Sequence, residues 1–230
     1  MNTSALRVMN DYVDLTKNKL DGIYLWIDKE NIFQQYALIM GPENTPYFGG
    51  YFFFDIKYPL NYPQSPPIVN FLTINNKVRF NPNLYESGKV CLSILGTWAG
   101  PGWKPIMNIR LILNSIRSLM GEFPIQNEPG FENTKPDHIS SIEYNLSLIY
   151  HTYNLAILDV LDKKFIFVSK YFETEIISEY NKNKKKLQDD LLSYQQIYGN
   201  IPVDKQIYFM KKEMLNFNEL VTKFNKILIK

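Results

Sequence analysis

Four short apolar runs constrain the fold of this chain more than any other feature. They read GIYLWID at 22–28, FQQYALIM at 33–40, GYFFFDIKY at 50–58 and IVNFLT at 68–73. Each is rich in aromatic or β-branched residues and bounded by Gly, Pro, Asn or Asp, which is the pattern of a strand. The first two connections are KENI and GPENTPYFG. A parallel crossover needs a dozen residues or more, usually a helix, so links this short predict an antiparallel meander of four strands.

Helices are expected on either side. Residues 4–20 carry Leu6, Met9, Val13, Leu15 and Leu20 at roughly helical spacing, with Ser4 as a candidate N-cap. Residues 75–105 are interrupted by Gly88, Gly96, Gly100, Pro101, Gly102 and Pro105. A loop that long inside a compact domain points to function. Beyond it the pattern is helical at 108–120, at 138–162 with Asp137 as a candidate cap, and at 165–198 with a break expected near Lys182. GNIPVD at 199–204 reads as a stop and restart, after which a last helix runs towards Lys230. The texture changes from aromatic strands to polar amphipathic helices near residue 155. The expected organisation is therefore α+β, with a core domain at 1–155 and a helical extension at 156–230.

Composition excludes several classes of function. The 230 residues hold 25 Lys and Arg against 23 Asp and Glu, and the last seventy hold 13 against 9. The densest basic stretch, KNKKK at 182–186, reads as a solvated helix face. A nucleic-acid site would need a larger charge and base-reading partners, so no nucleic-acid partner is expected. No apolar run reaches eighteen residues, so no membrane partner is expected, and the first fifteen residues lack the pattern of a signal peptide. The chain reads as a soluble protein of the cytoplasm or nucleus. One cysteine, Cys91, permits no internal disulfide.

Cys91 closes the polar loop NPNLYESGKVC at 81–91. A thiol in such a loop can be a buried small hydrophobe or a nucleophile. A cysteine hydrolase needs a histidine beside the sulfur, and only His138 and His151 are available, neither joined to Cys91 by a recognisable motif. One cysteine and two histidines give no metal-ligand spacing. A thiol that carries an acyl group as a thioester needs no histidine, because the thioester is already activated. The protein need only position an amine and stabilise the oxyanion. Asn83 could supply that hydrogen bond, or it could be a turn former like Asn81.

Several stretches together resemble the ubiquitin-conjugating enzyme family over roughly residues 4–155. IMGPENTPYFGGYF at 39–52 resembles the family's turn and third strand. Tyr62, Pro63, Pro66 and Pro67 match its Tyr-Pro-x-x-Pro-Pro pattern. The loop at 81–91 has the family's eight-residue step from Asn to Cys, and Trp103, Lys104 and Pro105 resemble its Trp-x-Pro. Trp103 follows Cys91 by twelve residues, and this long loop with the helical tail is similar to the branch of larger family members.

The resemblance implies a ubiquitin-conjugating fold, a four-stranded antiparallel meander flanked by an N-terminal helix and C-terminal helices. It implies a transferase that receives ubiquitin or a ubiquitin-like protein from an activating enzyme and passes it to a substrate lysine or a ligase. Cys91 matches the thioester cysteine, Asn83 the asparagine that stabilises the oxyanion or the loop, and Glu128 the acidic residue that orients the incoming lysine. No cofactor or metal is implied, ATP being used by the activating enzyme alone. The chain departs from the family where His-Pro-Asn reads Asn81-Pro82-Asn83. It departs again where an acidic residue reads Ser93, and in the ligase-docking positions Gln64, Ser65, Lys104 and Ile106. Two rival readings are a non-catalytic binding variant of this fold and an unrelated cysteine hydrolase.

Overall fold

The four apolar runs pair in chain order as β1 (Ile23–Ile27), β2 (Gln34–Met40), β3 (Tyr51–Lys57) and β4 (Ile68–Phe71), all antiparallel. This is a computed structural model, and it describes residues 3–228. In β3 only Lys57 is exposed. Phe52 and Phe54 face Tyr47, Phe71 and Phe80, with ring centres 5.2–5.7 Å apart at the closest pairs. Phe53 points to the other face and meets Phe165 and Phe172, at 6.5 and 6.1 Å. The run of three phenylalanines without alternation reflects burial from both sides. The second cover comes from the C-terminal extension.

The first helix, α1 (Thr3–Lys17), contains Ser4 within the helix rather than as its cap. Of the expected apolar stripe, Leu15 is buried but the rest of the core face differs. Leu6 and Val13 are exposed, while Ala5, Val8, Asp11 and Leu15 are buried. A polar anchor fixes this rotation. The Asp11 carboxylate accepts from the Tyr62 hydroxyl at 2.5 Å and from Arg7 Nε at 2.8 Å. Arg7 also donates to the carbonyls of Pro105 and Met107. A buried carboxylate needs such partners, and here they outweigh two exposed aliphatic side chains.

Residues 75–105 are irregular, as expected, apart from a short 3-10 turn at Ser93–Leu95. The next helix, α2 (Ile109–Leu119), starts at Asn108, whose side chain accepts from the Leu111 amide at 3.1 Å. A 3-10 turn, Pro124–Asn127, leads to α3 (Ile139–His151). Its cap is His138, one residue after the expected Asp137; the imidazole Nδ1 accepts from the Ser140 amide. The helix runs on as a π-helical stretch, Thr152–Asp159, so residue 155 lies inside a continuous helical segment. That stretch serves two cores. Leu155 and Ala156 join the core under the sheet, and Tyr153, Ile157 and Leu158 join a second one.

The expected break near Lys182 is absent. After the short α4 (Ile166–Ser169), α5 runs unbroken over Glu173–Tyr198. Its basic run is laced by Lys182–Glu179, Lys185–Asp189 and Lys186–Asp190 pairs one turn apart. Such pairs support a helix on its solvent face. The chain turns instead around Lys163, at φ 61°.

Beyond Gly199, where φ is 51°, a hairpin replaces the expected restart of helix. It pairs β5 (Asn200–Val203) with β6 (Glu213–Asn216), and the last helix, α6 (Phe217–Leu228), is shorter than expected. Leu187, Leu191, Val203, Leu215, Phe217, Leu220 and Phe224 close the second core. No helix among the described residues is long and apolar enough to cross a membrane.

Leu187 is fully buried in this second core, whereas Leu192 is exposed. Leu187→Ala is expected to lower unfolding free energy by about 2–5 kcal/mol, and Leu192→Ala to stay within about 0.5 kcal/mol, in urea denaturation. The core is also tied to α3 by Glu213, which accepts from Ser147 and lies 3.0 Å from Nε2 of His151. Burial alone would raise the Glu213 carboxyl. The His151 hydrogen bond and charge, Ser147 and Lys77 outweigh it and hold the group below its ordinary 4.5. A carboxyl depressed in the folded state stabilises above its unfolded pKa and loses that contribution as pH falls through the folded one. The stability advantage of the native chain over Glu213→Gln should therefore shrink on acidification below about pH 4.5, as read by urea midpoints.

Candidate functional site

The loop at 81–91 is held by a polar side chain with every group in use. Asn81 is fully buried. Its Oδ1 accepts from the Asn83 amide at 2.9 Å, the Asx turn its sequence position allows. Its Nδ2 donates to the Leu119 carbonyl at 2.8 Å and to the Tyr47 hydroxyl at 3.3 Å. The Tyr47 hydroxyl in turn donates to the Phe80 carbonyl at 2.6 Å. Burial holds the Tyr47 phenol well above its ordinary range, so it stays neutral and serves as a donor.

Asn83 and Cys91 are bonded to each other twice. The Cys91 amide donates to the Asn83 carbonyl at 2.8 Å, and Asn83 Nδ2 donates to the Cys91 carbonyl at 2.8 Å. One amide hydrogen of Asn83 is thereby spent on holding the loop. Between the two residues the chain doubles back through Gly88, at φ 90°, whose carbonyl accepts from the Phe71 amide at 2.7 Å. A Cβ there would lie 2.8 Å from the Phe71 carbonyl oxygen, so only glycine fits against β4.

Beyond the cysteine, Thr97 Oγ1 donates to the Val90 carbonyl at 2.7 Å and accepts from the Leu92 amide at 3.0 Å. Trp103 donates to the Pro63 carbonyl at 2.7 Å, which seats the long loop against the Tyr-Pro segment.

Cys91 is almost covered, at 1% exposure, so access to its sulfur requires its neighbours to give way. Tyr85 stands in the same loop, and its phenol is held above its ordinary range, burial raising it against the Arg79 cation, which lowers it and lies 3.6 Å from the ring centre. Tyr85 was not among the expected site residues. An aromatic ring inside an otherwise polar loop was the signal that could have singled it out.

Glu128 stands on a different loop, immediately after the 3-10 turn, and is 7% exposed. Its link to Cys91 runs through hydrogen bonds. Asn127 Nδ2 donates to the same Leu119 carbonyl that accepts from Asn81, and Asn81 holds Asn83. The C-terminus of α2 thus joins the loop of Asn83 and Cys91 to the loop of Glu128. The histidines are engaged elsewhere, His138 as the cap of α3 and His151 against Glu213. Among the described residues no cluster of three or more His, Cys, Asp or Glu could hold a metal.

The family model for ubiquitin-conjugating enzymes matches residues 7–140, more than half of the sequence, and the chain belongs to that family. Among curated proteins it is 44% identical over 160 residues to human ubiquitin-conjugating enzyme E2 Z, covering 69% of this chain and 45% of that protein. The Xenopus tropicalis E2 Z is 43% identical over 164 residues, covering 71% of this chain and 52% of that one. A probable ubiquitin-conjugating enzyme, R521 of Acanthamoeba polyphaga mimivirus, is 41% identical over 148 residues, covering 60% and 10%. The chain spans about half the length of the E2 Z proteins it matches. A solved structure of human E2 G1 superposes with a TM-score of 0.46 at 30% identity, covering 52% of this chain and 96% of that one.

Asn81→Ala removes the acceptor of the Asn83 amide, while the Leu119 carbonyl keeps the Asn127 hydrogen bond at 3.2 Å. The substitution should cost about 1–3 kcal/mol for the amide left unpaired, measured as a fall in the urea midpoint at unchanged slope.

Proposed function

We propose that this chain accepts ubiquitin or a ubiquitin-like protein as a thioester on Cys91 and passes it to a substrate lysine or to a ligase. The observation that carries the reading is the doubly hydrogen-bonded pair of Asn83 and Cys91 within the segment that matches the family. In charging, the Cys91 thiolate attacks the modifier's thioester carbonyl on the activating enzyme. A new C–S bond forms, the old one breaks, and the activating enzyme's thiolate leaves. In transfer, a lysine amine attacks the Cys91 thioester, a C–N bond forms, the C–S bond breaks, and the proton the amine loses neutralises the Cys91 thiolate that leaves.

Each step develops negative charge on the carbonyl oxygen. The second amide hydrogen of Asn83, beyond the one used on the Cys91 carbonyl, is the donor we assign to it. Glu128 orients the incoming ammonium or amine from the neighbouring loop. A carboxylate alone would raise the lysine pKa, so deprotonation of the nucleophile depends on its desolvation at the site. The thioester supplies the activation, so the reaction calls for no metal or cofactor on this chain, and ATP is consumed by the activating enzyme. The activating enzyme, a ligase and the substrate lysines are its partners, in the cytoplasm or nucleus. We assign the chemistry to residues 1–155 and treat 156–230 as an extension that covers and braces it.

Mixed with an activating enzyme, ATP and ubiquitin, the chain should form an adduct that reductant cleaves, and Cys91→Ala should form none. An adduct that survives Cys91→Ala would overturn the assignment. Asn83→Ala should still charge but discharge to free lysine roughly 10²–10³-fold more slowly in single-turnover assays, the range for loss of one oxyanion donor. Discharge at the native rate would leave Asn83 with a loop-holding role alone.

A further inference from the structure

A segment of the extension reaches back to the active loop. Residues 204–212 connect β5 to β6. Ile207 and Met210 are buried in the core under the sheet, not in the second core beside them. Lys212 pairs with Asp204 at 2.9 Å across the mouth of this connection, and the Asp204 amide donates to Glu143 on α3. Lys211 reaches the Asn76 carbonyl at 3.3 Å. The connection is thus pinned at both ends against the catalytic domain, and Tyr208 and Phe209 lie between the pins.

What they touch is Arg79. Its guanidinium is buried, with 6% of the residue exposed. The guanidinium carbon lies 3.6 Å from the ring centre of Tyr85, 4.4 Å from that of Phe209 and 5.9 Å from that of Tyr208. One Nη donates to the Tyr208 hydroxyl at 3.4 Å. Nε donates to the Pro82 carbonyl at 3.1 Å, and the other Nη donates to that same carbonyl. The Arg79 carbonyl accepts from Tyr144, whose ring packs edge-on against Phe209 at 5.6 Å.

One cation therefore joins three parts of the molecule: the extension through Phe209 and Tyr208, the backbone just before Asn83 through Pro82, and the middle of the 81–91 loop through Tyr85. A cation held over aromatic faces in a dry site binds them tightly, and an Arg left without them would be buried with part of its surface unpaired.

We propose that Tyr208 and Phe209 are positioning residues for the thioester site, holding Arg79 against Pro82 and Tyr85 so that the loop of Asn83 and Cys91 keeps its closed geometry. This deepens the function proposed above and rests on it for the transfer step. The extension then acts on the chemistry by ordering the loop, without touching the modifier.

Cys91 is the sole cysteine, so alkylation by iodoacetamide reports on this loop alone, whatever the enzyme's activity. Phe209→Leu keeps an apolar side chain but removes the ring, and Phe209→Tyr keeps the ring. In the full chain, Phe209→Leu should alkylate at Cys91 about tenfold faster and Phe209→Tyr at the native rate, a tenfold opening being worth ~1.4 kcal/mol. In single-turnover discharge to lysine, Phe209→Leu should lose about tenfold in maximal rate with the half-saturating lysine unchanged, and Phe209→Tyr should restore it.

Ile197→Ala, at an exposed site on α5, should match the native chain in both assays. Native alkylation and discharge in Phe209→Leu would overturn the proposal, as would equal losses in the Leu and Tyr variants. Should Phe209→Leu not fold, Tyr208→Leu at an exposed position decides. A folded Tyr208→Leu with native alkylation overturns the clamp, and faster alkylation supports it. A native chain that never charges would refute the proposed function, while the alkylation comparison would still decide the clamp.

Discussion

The burial of β3 from both sides is the constraint on which the rest of this structure depends. Phe52 and Phe54 fill the space towards Tyr47, Phe71 and Phe80, while Phe53 needs cover on the opposite face and receives it from Phe165 and Phe172. An aromatic side chain of that size contributes on the order of 1.5–3 kcal/mol when removed from water, so the outer face of the sheet cannot be left bare without loss. The edge of the same face is closed by Tyr171, stacked on Trp26 at 3.9 Å and on Tyr36 at 5.2 Å. Once 165–172 lies on the sheet, the direction of α5 is set, and with it the placing of the hairpin and of residues 204–212.

The site follows from a second, polar economy inside that frame. A loop of eleven residues carries many backbone groups into partly buried space, and each needs a partner. Asn81 supplies several at once, Asn83 closes on Cys91, and the Leu119 carbonyl receives both Asn81 and Asn127. The end of one helix therefore ties the loop of Asn83 and Cys91 to the loop of Glu128, the residues to which the proposed function assigns its chemistry. Position is inherited from hydrogen bonds to backbone. A histidine in the first place of the usual His-Pro-Asn pattern would donate differently, and the asparagine here meets the same need with an amide that both donates and accepts.

Much of this was legible from residue order because it is local. Strands came from runs of aromatic and β-branched residues, and their antiparallel order from the shortness of the links. The loop could be read because Asn, Pro and Gly act within a few residues of themselves, as the Asx turn of Asn81 does. The face of α1, the cap of α3 and the hairpin after Gly199 were not legible. Asp11 turns α1 because Tyr62 and Arg7 are there to meet it, His138 displaces Asp137 by a choice of backbone geometry, and β5 and β6 pair across a connection of nine residues.

The sequence by itself determined the class of fold, because periodicity and turn chemistry are properties of neighbouring residues, and its motifs in register carried the resemblance to the family, while the residues around Asn83 left it open between a donor and a turn former. Only the tertiary structure decided that the extension covers the sheet, that Asn127 and Asn81 meet at one carbonyl, and that Arg79 is shared between Tyr85 and Phe209. Those contacts join residues far apart in the chain, Arg79 and Phe209 by 130 positions and Trp26 and Tyr171 by 145. No local rule brings them together; they form because buried aromatic area and buried charge must find partners wherever the folded chain happens to place them.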